Sequence, residues 1–183
     1  MSSYDSFDSE ISTEDNNTIF QFKFDISDNI IKNMDKILKE IISQNKKNLN
    51  YKKIIKHQKE SNFSANECPQ ISIFDYLNRI KKYSHLENNT LICSLIYIDK
   101  LCTSNETVLT DLNIHRILFT AILLSIKYNE DLIYKMEFYA KIAGVSLKEL
   151  QKLESEFLEK INFELFINEE DFEKYKKYLM KME

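Results

Sequence analysis

Few side chains in this 183-residue chain are spaced for catalysis. Its three histidines, His57, His85 and His115, stand far apart, and no Cys or His pair has the CxxC or HExxH spacing of a metal site. The single glycine, Gly144, excludes a glycine-rich phosphate loop and a GxSxG nucleophile elbow. His115, beside Arg116 near the start of an apolar helical run, reads as a structural hydrogen bonder rather than a catalytic base. The three cysteines, Cys68, Cys93 and Cys102, are too few and too scattered for a disulfide framework. Cys93 and Cys102 fall inside one apolar run and are expected to be small buried side chains. The pattern predicts no catalytic residue, no cofactor, no bound metal and no small-molecule substrate. What remains is the equipment of a binding module.

Two charged positions break the hydrophobic pattern instead. Between residues 147 and 162, Leu150, Leu153, Phe157, Leu158 and Ile161 share one helical arc, and Glu154 falls within it. An unpaired carboxylate buried there is costly. Glu154 therefore pairs with a base of this chain, lies in solvent at the edge of the arc, or sits on a surface that a partner buries. Between residues 113 and 128, Arg116, Thr120, Leu123 and Lys127 follow at i, i+4, i+7 and i+11, a less apolar stripe on an otherwise greasy segment. It reads either as a solvated face or as a contact face with Lys127 close to Glu154.

The elements that must position these residues are helices. One glycine and one proline (Pro69) are too few for the turns of a β-sandwich or an α/β fold. Residues 1 to about 25, polar and acidic with scattered Phe, read as a flexible tail. Behind Ser27, a possible cap, Ile30, Ile31, Met34, Ile37, Leu38, Ile41 and Ile42 make one apolar stripe. Residues 48 to 70, mostly polar and with Pro69 at their end, read as a linker with a short helix around Ile54. From Ile71 five helices follow closely. Ser72 with Asp75 caps the first, in which Ile73, Tyr76, Leu77 and Ile80 share a face. The second, Leu91 to Cys102, and the third, Asn113 to Tyr128, are apolar nearly all round, so the third is placed at the centre of a bundle. Residues 133 to 143 form the fourth, ended by Gly144 in the left-handed conformation. Ser146 with Glu149 caps the fifth. Asn168 caps a last helix, acidic at its start and Lys-rich toward its end, as the helix dipole favours.

A hydrophobic content of 43% marks a globular chain, long enough for one domain. With a net charge of −4 and a pI near 5.5, no general nucleic-acid footprint is expected, although a local basic patch is compatible with it. The longest apolar run, Ile114 to Ile126, is interrupted and too short to cross a bilayer, so no membrane partner is expected. The first residues lack the cationic start and apolar core of a signal peptide. An intracellular location, in nucleus or cytoplasm, is the expectation.

Four segments carry a family resemblance. "ISIFDYLNRIKKY" resembles the opening of the box in P/U-type cyclins, the group of the yeast phosphate-system cyclin. "LICSLIYIDKL", with Asp99, looks like the second box helix. "LNIHRILFTAILLSIKYNED" resembles the third, and "FYAKIAGVSLKELQKLESEFLEKINFELFI" the fourth and fifth. The resemblance implies an all-α fold: one cyclin box of five helices at residues 69 to 167, around a central third helix. An extra helix lies on each side, at 26 to 68 with its linker and at 168 to 183. It also implies a cyclin-dependent protein kinase as partner, bound and activated in cell-cycle or nutrient (phosphate) signalling. In cyclins a Lys at the end of the third helix and a Glu in the fifth hold the kinase's mobile αC region, which here makes Lys127 and Glu154 the kinase-binding pair. Leu123, Leu150 and Phe157 are candidates for the apolar part of that contact. The Arg of the MRAIL-like substrate-recruiting patch is missing from "PQISIFDYL", and its role is not carried over to Arg79. The alternative is a cyclin-fold adaptor that binds other proteins without activating a kinase.

Overall fold

A computed structural model describes residues 13–104 and 107–181, with side chains from residue 29 onward except Ser104. Among them are eight helices: α1 Thr13–Lys46, α2 Tyr51–Gln58, α3 Ile73–Ser84, α4 Asn88–Ser104, α5 Ile114–Asn129, α6 Met136–Ala143, α7 Leu147–Lys160 and α8 Glu169–Lys181. No strand occurs among the described residues.

Helix α5 is the hub, packed by α3, α4, α6 and α7. Every residue from Ile117 to Ile126 is buried, which is what an apolar circumference requires. Leu118, Ala121 and Ile122 are wholly inside, as the sequence predicts for a central helix. Helix α4, buried from Leu91 to Ile98, is its closest neighbour. Two buried hydroxyls of α5 find carbonyls within this helix pair: Ser125 Oγ donates to the Thr90 carbonyl at 2.9 Å and Thr120 Oγ1 to the Arg116 carbonyl at 2.7 Å.

Local chemistry sets the helix ends. Ser72 Oγ accepts from the Asp75 N–H at 3.0 Å, Ser146 Oγ from the Glu149 N–H at 3.1 Å, and Asn168 Oδ1 from the Asp171 N–H at 2.8 Å. Gly144 ends α6 at φ 76° with its N–H on the Ala140 carbonyl at 3.0 Å. A Cβ there meets nothing within 4 Å, so only backbone strain penalises a side chain. Gly144→Ala is expected to cost about 1 kcal/mol, the left-handed penalty alone, read as a modest drop in melting temperature without loss of helix content. A loss of several kcal/mol would show that the site also resists volume.

The first helix differs from expectation. It begins at Thr13, so Ser27 lies inside it and residues 13–25 are helical rather than a flexible tail. No Gly or Pro interrupts residues 13 to 46, and Glu14 and Asp15 favour a helix start beside Thr13. The rest of the expected tail, residues 1–12, lies outside the described residues. The fourth box helix also starts later than expected, at Met136, because Lys135 is extended (φ −66°, ψ 148°). Ile133 and Tyr134 therefore belong to a loop.

Helices α1 and α8 flank the five-helix box on α4's side. Buried Asn33 donates from Nδ2 to the Leu179 carbonyl at 2.6 Å, Tyr175 donates to Asp99 Oδ2 at 2.7 Å, and Tyr97 donates to the Leu165 carbonyl at 2.8 Å. The linker carries α2 and then inserts Phe63 into the core, 1% exposed, edge-on to Phe157 with ring centroids 5.9 Å apart.

Candidate functional site: the α5–α7 seam

The stripe Arg116, Thr120, Leu123, Lys127 is buried in its middle and partly exposed at its two charged ends. It is the line along which α5 packs on α7. Thr120 and Leu123 are buried, and each charged end is paired across the seam. At the near end, Arg116 Nη2 pairs with Glu149 Oε1. At the far end, Lys127 Nζ lies 2.5 Å from Glu154 Oε1. Because Arg116 and Glu149 open their helices while Lys127 closes α5, the two helices run in the same sense. Of the readings open for Glu154, pairing with a base of this chain is the one observed. Its side chain is 16% exposed and that of Lys127 36%, so the pair sits at the rim of the core.

Arg116 does more than pair. Its Nη1 donates to the carbonyls of Asn62 (3.1 Å) and Ser64 (2.9 Å), while Glu156 accepts from Ser61 Oγ (2.6 Å), the Asn62 N–H (2.8 Å) and Asn62 Nδ2 (2.7 Å). These bonds strap the linker over the start of the seam and set α7 in register on α5. Ser146 and Glu149 have the capping-box spacing, but the Glu149 carboxylate is spent on Arg116.

The apolar candidates need correction. Leu123, Leu150 and Phe157 each have 0% exposure and are core residues beneath the pair. They share the arc of Lys127 and Glu154, but that arc points into the bundle, so they back the site and offer no surface. The exposed apolar residues lie instead where the chain leaves the two helices. Tyr128 adjoins Lys127, Leu132 (87% exposed) and Ile133 follow α5, and Phe163 (66% exposed) follows α7. Phe163 and Asn162 are both left-handed, at φ 58° and 52°, unusual for a bulky side chain. The signal available in the sequence was three apolar residues, Leu132, Ile133 and Tyr134, in a polar turn; assigning two of them to a helix hid it.

His115 is where a structural role would put it. Its Nε2 is 2.9 Å from the Ile71 carbonyl, its ring packs on Tyr76 with centroids 5.1 Å apart, and its Nδ1 is buried with no partner. Burial lowers its pKa below 6.5, only partly opposed by the Ile71 carbonyl and Asp111. The unfolded chain therefore binds more protons just below pH 6.5, and this residue's contribution is lost as pH falls from there toward the folded pKa. The stability advantage of the parent over His115→Gln is expected to be larger at about pH 7.5 than at about pH 5.5. Melting curves at both values check this, and an advantage that grows on acidification would reverse the assignment.

Burial likewise raises the thiols of Cys93 and, to about 12, Cys102, so neither is a reactive thiolate. Among the described residues no helix is long and apolar enough to cross a membrane.

The same segments are found in known proteins. A family model described as Cyclin matches residues 17–165. The chain is similar to Cyclin-U2-2 of Arabidopsis thaliana, 38% identical over 114 residues, covering 62% of this chain and 50% of that protein. It is similar to Cyclin-U4-3 of the same plant, 36% identical over 135 residues, covering 73% and 59%. It is also similar to PHO85 cyclin-7 of Saccharomyces cerevisiae, 33% identical over 131 residues, covering 65% and 46%. The chain spans about half the length of the curated relatives it matches.

Proposed function

This chain belongs to the cyclin family, with relatives of the P/U type, and we propose that it binds a cyclin-dependent protein kinase through the end of the α5–α7 seam and activates it. The observation that carries this reading is the Lys127–Glu154 pair: two charges set at the core's rim, at the two positions where the cyclin motif carries its kinase-holding Lys and Glu. In the free chain each charge satisfies the other. On binding, each turns to groups of the kinase αC region, while exposed Tyr128, Leu132, Ile133 and Phe163 supply the apolar area around them. Holding αC inward lets its Glu meet the ATP-binding Lys, so catalysis belongs wholly to the partner. An intracellular location, in nucleus or cytoplasm where such kinases act, is part of the same proposal, as is a role in cell-cycle or nutrient signalling.

The test is co-purification of the chain from its native cells, followed by a phosphotransfer assay on the recovered kinase with and without added chain. A kinase subunit whose rate rises on addition supports the proposal. Recovery without a kinase, or with one whose rate is unchanged, moves the assignment to an adaptor that uses the fold to hold other proteins.

A further inference from the structure

A second cleft, of about 420 Å³, opens between α1, α4 and α8 and shares no residue with the α5–α7 seam. Its floor is apolar: Ile37 and Ile41 from α1, Leu95 and Ile98 from α4. The charged groups that line it are both acids, Glu40 on α1 and Asp99 on α4. Each takes one hydrogen bond from inside the chain, Glu40 Oε1 from Gln44 Nε2 at 3.2 Å and Asp99 Oδ2 from Tyr175 at 2.7 Å, and each remains exposed. At the mouth stands the ring of Tyr178, 56% exposed. An apolar trough rimmed by two carboxylates and an aromatic face suits an apolar group that carries a cation, since both rim features attract positive charge.

We propose that this cleft docks a basic amphipathic helical segment of a second protein, aliphatic side chains on the floor and a Lys or Arg between Glu40 and Asp99. A helix fits better than a strand for two reasons. The lining positions of α1 and α4 repeat at three- and four-residue steps over about two turns, roughly 10 Å, a groove that accepts i, i+3 and i+4 anchors. Among the described residues there is no strand, hence no sheet edge for an extended segment to join. With the kinase on the α5–α7 seam, the chain links two proteins.

The test is a titration of the full chain, followed by amide NMR, with a synthetic helical peptide bearing leucines at i, i+3, i+4 and i+7 flanked by lysines, and with its twin in which glutamates replace the lysines. The lysine peptide is expected to bind saturably, with shifts confined to α1 from Ile37 to Gln44, α4 from Leu95 to Cys102, and the α8 tyrosines. Glu40→Lys, at an exposed position, is expected to weaken it about tenfold or more while its melting curve stays that of the parent. Equal binding of the twins, shifts elsewhere, no saturation, or unchanged affinity in Glu40→Lys overturns the proposal. A parent dimer in sedimentation that Glu40→Lys abolishes also overturns it, by assigning the cleft to a second copy of this chain. None of these outcomes bears on the kinase assay, which tests the α5–α7 seam.

Discussion

Phe157→Ala is expected to destabilise the chain by about 3–5 kcal/mol, the usual range for emptying a buried aromatic site. The ring has no exposed surface and meets Phe63 edge-on, so its removal leaves a cavity beneath α7 and frees the linker's only buried anchor of comparable size. A typical domain has about 5–15 kcal/mol in total, so the loss is a large share of it. For a chain of this length it corresponds to a melting temperature lower by about 6–20 °C. Phe63→Ala is expected to act in the same direction. The double variant is expected to fall short of the sum by about 0.5–1.5 kcal/mol, because the ring–ring contact is then counted once. Circular dichroism melts of the four proteins measure this. A Phe157→Ala protein that melts like the parent but loses partner binding would show a ring that faces the kinase rather than the core.

Lys127→Ala is expected to weaken kinase binding about tenfold or more, and Glu154→Ala similarly. A charge-assisted hydrogen bond lost at a buried contact costs about 1.5–3 kcal/mol. On the free chain's stability the same changes are expected to act weakly, by about 1 kcal/mol or less, because the pair sits at the rim where solvent screens it. That separation is the diagnostic: binding falls while the melting curve barely moves. Lys177→Ala, on the exposed face of α8, is the control that leaves both unchanged. The measurement is a titration of each variant against the recovered kinase. If both variants stay folded and bind as the parent does, Lys127 and Glu154 are no more than a surface ion pair and the adaptor reading takes precedence.

What was legible in the sequence follows from the range of the forces involved. Helix starts at Ser72, Ser146 and Asn168 and the stop at Gly144 depend on bonds to backbone groups three or four residues away, so they could be read locally and are found where read. The central place of α5 followed from an apolar circumference that no exposed helix tolerates. Even the oddity of Lys127 and Glu154 was visible, as charges at positions where periodicity calls for apolar groups. Yet a periodic pattern reports which way a residue points and not how much protein lies above it. Leu123, Leu150 and Phe157 point the same way as the pair, and only packing shows that they end in the core.

The start of α1 was hidden because scattered aromatics gave no stripe, while the absence of Gly and Pro was sufficient to continue the helix. Phe63 and the strap made by Arg116 and Glu156 were hidden for another reason. Their partners lie between 52 and 95 residues away, beyond anything local spacing records. The sequence by itself thus determined the helices, their caps, the central element and the two anomalous charges, all products of neighbours within a turn. The tertiary structure alone decided that the charges meet across 27 residues, that the apolar stripe beneath them is closed, and that the linker is bound down over it. Those outcomes depend on how α5, α7 and the linker dock, and docking is set by the summed burial of many side chains rather than by any one spacing.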